Sequence, residues 1–110
     1  AVLSNKPHEY TIKCMEGFLS DWRFDVVFGQ RDDVPRKPDP AGALEIAEQL
    51  NIPPSDFLYL GDTEIDLKTS IAAGMFPVGV LWGFRSAEEL KGSEVKTLIK
   101  RPLDVMNLLE

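Results

Sequence analysis

Asp62 and Asp66 stand four residues apart at the end of the apolar run Phe57-Leu58-Tyr59-Leu60-Gly61. Two carboxylates delivered to one crevice form an oxygen-rich site suited to Mg²⁺. The same residues also make sense as local architecture, because Thr63 with Asp66 fits a helix capping box, which needs no metal. Ser4 follows the apolar stretch Ala1-Val2-Leu3 and offers a hydroxyl, while amides from Asn5 onward can point at an anion as a helix begins. Lys37 lies in Arg36-Lys37-Pro38-Asp39-Pro40, just ahead of a helix that Asp39 would cap and Pro40 would start. The two prolines stiffen that loop, so Lys37 loses less freedom on meeting a ligand. A hydroxyl, an ammonium and a carboxylate pair, each from a different strand end, together describe a phosphate site with its metal.

The elements that must position these groups alternate along the chain. A strand ends near Ser4, and a helix runs from about Pro7 to Leu19 with Ile12, Met15 and Leu19 on one face. Asp25 to Phe28 is the next strand, closed by Gly29, and the charges of Arg31, Asp32 and Asp33 after it read as solvated. A second helix covers about Pro40 to Leu50, with Ala43, Leu44, Ala47 and Leu50 at helical spacing. The run from Phe57 reads as a buried parallel strand, with Gly61 turning the chain. A third helix runs from about Glu64 to Ala73 and stops at Gly74. Pro77 to Leu81 forms a further strand, Ser86 to Leu90 a short helix, Lys96 to Ile99 a last strand and Pro102 to Leu109 a closing helix. Strands alternating with helices predict an α/β fold with a parallel sheet of βαβ units. Asp62 then falls at the carboxyl end of a strand, where open α/β sheets bind ligands.

With Ser4 in Val2-Leu3-Ser4-Asn5-Lys6, Lys37 ahead of its helix, and Gly61-Asp62-Thr63-Glu64-Ile65-Asp66 in that order, the chain resembles the haloacid dehalogenase-like (HAD) phosphohydrolase superfamily. Within it, the resemblance is to the phosphoglycolate phosphatase-like group, and Val80 to Leu90 is similar to that group's segment after the fifth strand. The resemblance implies a Rossmann-like parallel sheet with flanking helices. It implies that Ser4 and Lys37 hold the transferring phosphoryl group, and that Asp62 is a direct Mg²⁺ ligand with Asp66 supporting it through water. Asn5, read from its own place after Ser4, offers its amide to the phosphate while its side chain caps the helix. The implied reaction is Mg²⁺-dependent hydrolysis of small phosphomonoesters through an aspartyl-phosphate.

The family's first strand ends in Asp-x-Asp, and no such motif is present here. The pairs Asp21/Asp25, Asp32/Asp33 and Asp62/Asp66 lack its spacing after an apolar strand. The helical cap that selects substrate is missing too. Residues 1–110 therefore read as the C-terminal part of a HAD-like core domain, without the nucleophile and expected to be inactive alone. The absent strand is central in the family's sheet, so two strand edges should be left bare. Bare edges recruit another strand, which predicts a homo-oligomer or association with an N-terminal segment.

Composition narrows the alternatives. The 110 residues suffice for one domain with a modest core. A formal charge of −6 argues against nucleic acid and anionic membranes as partners. The small phosphorylated metabolite that the resemblance implies as ligand then needs a local reversal of the field, from Lys37, backbone amides and a bound cation. No run approaches the roughly 18 apolar residues of a membrane span. The single Cys14 rules out an internal disulfide framework and fits a reducing, cytoplasmic setting. Cys14 reads as a partly buried thiol, His8 as an exposed helix-start residue, and Trp22 and Trp82 as packing residues, with Trp82 near enough a strand end to border the site instead. Glu64 at a helix start favours the dipole. A non-catalytic phosphate/Mg²⁺-binding module is the alternative function. A receiver-type signalling domain is disfavoured because its acidic pair comes first and its lysine last.

Overall fold

The structure, a computed structural model, describes residues 1–82 and 97–109. The helix expected at Ser86 to Leu90 and most of the segment after the fifth strand lie outside these residues. Strands β1 (Val2–Pro7), β2 (Val27–Gln30), β3 (Leu58–Gly61), β4 (Phe76–Val80) and β5 (Leu98–Ile99) alternate with helices α1 (His8–Phe18), α2 (Ala41–Leu50) and α3 (Glu64–Ala73). All pairing is parallel, as the alternation predicts. Among the described residues the strands form two sheets, β1-β2 and β3-β4-β5, rather than one. Among those residues β1 and β3 each leave one edge without a partner strand, and an open cleft of about 610 Å³ lies between them.

α2 joins the two halves. Its Ala43 and Ala47 pack with Ala73 and Met75, while its Ile46 packs with Val26 and Phe28. Leu3 and Phe57 touch both groups, so one apolar layer runs beneath the cleft from β1 to β3. Beyond it, Val78, Val80 and Ile99 form a further cluster against Leu58, Val105 and Leu108. α3 is sunk deepest, with Leu67, Thr69 and Ser70 fully buried. Its two hydroxyls are tolerated because Thr69 Oγ1 donates to the Ile65 carbonyl (2.8 Å) and Ser70 Oγ to the Met75 carbonyl (3.3 Å). α3 ends at Gly74, whose left-handed φ of 75° suits a residue without Cβ. No helix among the described residues is long and apolar enough to cross a membrane.

Several sequence expectations are corrected. β1 does not stop at Ser4 but runs to Pro7 through an irregularity: Leu3 pairs with Phe28 and Pro7 next with Gln30. Gly29 does not close β2; it is a buried strand residue, and a Cβ there would lie 2.4 Å from His8 Cα. A missing side chain admits α1, which mimics a terminator in the sequence. The inward face of α2 carries Ile46 rather than Leu44, which is 41% exposed. On α1 the buried residue is Thr11, bonded to the Lys6 and Pro7 carbonyls, while Leu19 stays exposed. Trp22 does not pack; it is 70% exposed, in the turn after α1. The last strand shortens to Leu98–Ile99, and the closing helix is a 3₁₀ helix, Pro102–Leu108. There Asp104 accepts from the amides of Lys100 and Arg101, which tightens the first turn and holds its carboxyl below the ordinary value.

Candidate functional site

The cleft mouth collects side chains from three strand ends. Ser4 comes from β1, Lys37 from the loop before α2, and Asp62 and Asp66 from the turn after β3 and the first turn of α3. Lys37 Nζ donates to Asp66 Oδ1 at 2.6 Å and to the Leu3 carbonyl of β1 at 3.4 Å. Both side chains of the ion pair are only 12% exposed. One ammonium thus ties the two walls of the cleft together.

Asp66 is held on its other side as well. Thr63 Oγ1 donates to Asp66 Oδ2 (3.0 Å) and accepts from the Asp66 amide (3.3 Å), which completes the expected cap. Cap and charge pair are therefore one structure. Gly61 makes the arrangement possible through close approach, not through a special turn conformation. It ends β3 as a buried strand residue, and a Cβ there would come within 2.3 Å of Asp66 Cβ. Asp62, half-buried, lines the cleft next to this pair.

On the opposite wall, Ser4 Oγ accepts from the Lys6 amide (3.1 Å), which leaves its own proton free to donate. Asn5 does not cap α1. Its Oδ1 accepts from the Lys37 amide at 3.1 Å. Asp39 behaves as expected, with Oδ1 accepting from the Ala41 amide at 2.9 Å at the start of α2.

His8 is half-buried rather than exposed, and its Nδ1 accepts from the Gly29 amide at 3.1 Å, so it fastens α1 to β2. Arg31 is likewise not simply solvated. It makes a two-pronged pair with Glu45, which raises its pKa, and sits 4.2 Å from the Phe28 ring centroid.

Of two further cleft residues, Trp82 takes the second of the roles its sequence position allowed, and Tyr59 escaped the sequence reading. Trp82 lines the cleft and is 47% exposed, so it borders the site more than it packs. Tyr59 also lines it, with a buried hydroxyl that has no partner of hydrogen-bond geometry among the described residues, although Thr69 approaches it. Burial, and then the charge of Asp66, push its pKa well above the ordinary phenol value. An alternating strand pattern reveals neither a carbonyl such as that of Leu3 nor an orphaned hydroxyl.

The sequence profile of the haloacid dehalogenase-like hydrolases matches residues 1–80. The chain belongs to this family. It is 34% identical over 104 residues to the phosphoglycolate phosphatase of Xylella fastidiosa, covering 92% of this chain and 44% of that protein. It is 28% identical over 109 residues to the phosphoglycolate phosphatase of Pectobacterium atrosepticum, covering 99% of this chain and 47% of the relative. Among solved structures, an inferred phosphoglycolate phosphatase from Lactobacillus delbrueckii subsp. bulgaricus superposes with a TM-score of 0.88 at 30% identity, over 97% of this chain and 44% of that one. The HAD chain thus spans less than half the length of these relatives. Its Rossmann-like α/β architecture is that of the family, and its relatives place it among the phosphoglycolate phosphatase-like members.

Proposed function

We propose that this chain is the C-terminal part of the core domain of a Mg²⁺-dependent phosphatase that hydrolyses small phosphomonoesters, in the manner of the phosphoglycolate phosphatases it resembles. The observation that carries the proposal is the Lys37 ammonium, anchored to Leu3 and Asp66 at the mouth of a cleft that Ser4 and Asp62 also line. An ammonium and a hydroxyl beside carboxylates can bind a phosphoryl group in an otherwise acidic protein. Ser4 would donate to a phosphoryl oxygen, and Lys37 would neutralise the charge that grows there in the transition state.

The donor set fits Mg²⁺ of a particular kind. No cluster of three or more His, Cys, Asp or Glu exists among the described residues, so an all-protein cage is ruled out there. Mg²⁺ commonly takes one or two carboxylates plus waters and substrate phosphate. Asp62 would hold it directly and Asp66 through water, and such an ion neutralises phosphoryl oxygens when bound. With so few protein ligands the chain alone should hold it weakly. The attacking carboxylate of an aspartyl-phosphate route would come from outside this sequence, which contains no Asp-x-Asp after an apolar strand. The bare edges of β1 and β3 support a further strand between them, from an N-terminal segment or a second copy.

The test compares two proteins. In the full-length enzyme, Lys37→Ala and Asp62→Asn should each lower kcat by about 10²-fold or more. The isolated chain should show no Mg²⁺-dependent turnover of p-nitrophenyl phosphate. Near-wild-type rates for either variant, or turnover by the isolated chain that Asp62→Asn abolishes, would overturn the assignment.

A further inference from the structure

We propose that Asn5 is a positioning residue for Lys37, an inference that rests on the phosphate-site reading and assigns Asn5 a role other than binding the anion. Lys37 is gripped at both ends. Its amide donates to Asn5 Oδ1 (3.1 Å), while its ammonium donates to the Leu3 carbonyl (3.4 Å) and Asp66 (2.6 Å). Leu3 and Asn5 both belong to β1, so one strand holds the backbone and the charged tip of a residue more than thirty positions away.

The local structure explains why β1 can do this. Between Leu3 and Pro7 the strand leaves regular register with β2, and Ser4 Oγ accepts from the Lys6 amide within that irregularity. Asn5, released from the ladder, is exposed, while the Lys37 side chain it controls is only 12% exposed. Gln30 Nε2, at the end of β2, donates to the Val34 carbonyl (2.6 Å) and anchors the first part of the loop that carries Lys37, but between Val34 and α2 the backbone has few other anchors. Pro35 and Pro38 have no amide proton, and the Asp39 amide closes a tight turn on the Arg36 carbonyl (3.0 Å). That turn and the Asp39 cap fix the loop to α2, but they do not fix its distance from β1. The Asn5 bond does.

The test uses the chain itself and needs no turnover. In Asn5→Ala, hydrogen exchange at the Lys37 amide should quicken about fivefold, the size of one ordinary hydrogen bond. Acetylation of the Lys37 ammonium by an N-hydroxysuccinimide ester, read by mass spectrometry, should quicken by a similar factor. Asn5→Asp keeps an acceptor oxygen and should hold both rates within about twofold of wild type. The Leu67 and Val78 amides, deep in α3 and β4, report that the fold is intact. Wild-type rates at Lys37 in Asn5→Ala would overturn the proposal, as would failure of Asn5→Asp to rescue them. If instead Lys37→Ala leaves kcat of the full-length enzyme unchanged while Asn5 still governs Lys37, the phosphate-site reading fails and the positioning role stands.

Discussion

The two walls of the cleft are built to different standards. The β3 wall pairs with β4 in unbroken register from Leu58–Phe76 to Gly61–Gly79, and α3 behind it buries Leu67, Thr69 and Ser70 completely. The β1 wall pairs with β2 irregularly, and α1 behind it buries only Thr11 while Tyr10, Phe18 and Leu19 remain exposed. The carboxylates stand on the rigid wall and the hydroxyl on the loose one. A site assembled this way depends on ties across the cleft, because among the described residues no sheet hydrogen bonds join the two halves. Lys37 is such a tie, and its loss should make the walls most unlike each other.

Lys37→Met keeps the apolar stem and removes the charge. Asp66 would then be a nearly buried carboxylate without its ion-pair partner, a change that typically costs about 3–5 kcal/mol. Thr63 still donates to Asp66 Oδ2, so the lower end of that range is expected. Urea unfolding should show it, and adding Asp66→Asn should restore most of the loss, since the stranded charge is then gone. A cost below about 1 kcal/mol would class the pair with exposed ion pairs and remove its status as a tie.

The glycines sharpen the contrast at smaller scale. Gly61→Ala forces a Cβ toward Asp66 Cβ on the well-packed wall, and overpacking of this kind costs about 1–3 kcal/mol. Gly17, in α1 on the loose wall, has nothing within 4 Å of where its Cβ would stand. Gly17→Ala should therefore stabilise by up to about 1 kcal/mol through helix propensity alone. Thermal melts of both variants give opposite signs if the two walls differ as described. Equal destabilisation would mean that α1 is packed more closely than its exposed aromatics indicate.

What was legible in the sequence follows the same division. On the β3 side a dense apolar run, a capping pair and a helix-ending glycine are local signals, so α3 and its cap were legible to the residue and β3 to within one, Leu58–Gly61 against a run read from Phe57 with Gly61 as its turn. On the β1 side the strand ends and the inward faces of α1 and α2 shifted, because they are set by contacts between distant residues. Gly29 yields to His8, Ile46 rather than Leu44 meets Val26 and Phe28, and Ser4 closes on the Lys6 amide. Lys37 could be singled out by its place before a helix. That its ammonium pairs with Asp66 and its amide with Asn5 depends on contacts 29 and 32 residues apart, which spacing along one chain does not reveal.

The smallest expected effect tests how dry the rigid wall is beneath Asp66. The Tyr59 hydroxyl is buried, lacks a well-formed hydrogen bond among the described residues, and titrates above the ordinary phenol value because of burial first and the Asp66 charge second. Near neutral pH, Tyr59→Phe removes an unsatisfied buried group and should stabilise by up to about 1 kcal/mol. A raised folded pKa means that the neutral phenol favours the fold fully below the unfolded value of about 10. As pH rises past that value the unfolded chain loses its proton first, so wild-type stability falls until the folded phenol titrates as well. Tyr59→Phe lacks that term, and the stability difference between the two proteins should widen between about pH 9 and pH 11 in favour of the variant. Denaturant titrations at stepped pH measure the difference directly and cancel the other groups that titrate there. A constant difference across that range would mean that water or Thr69 reaches the hydroxyl, and the wall beneath Asp66 would then be wetter than its packing implies.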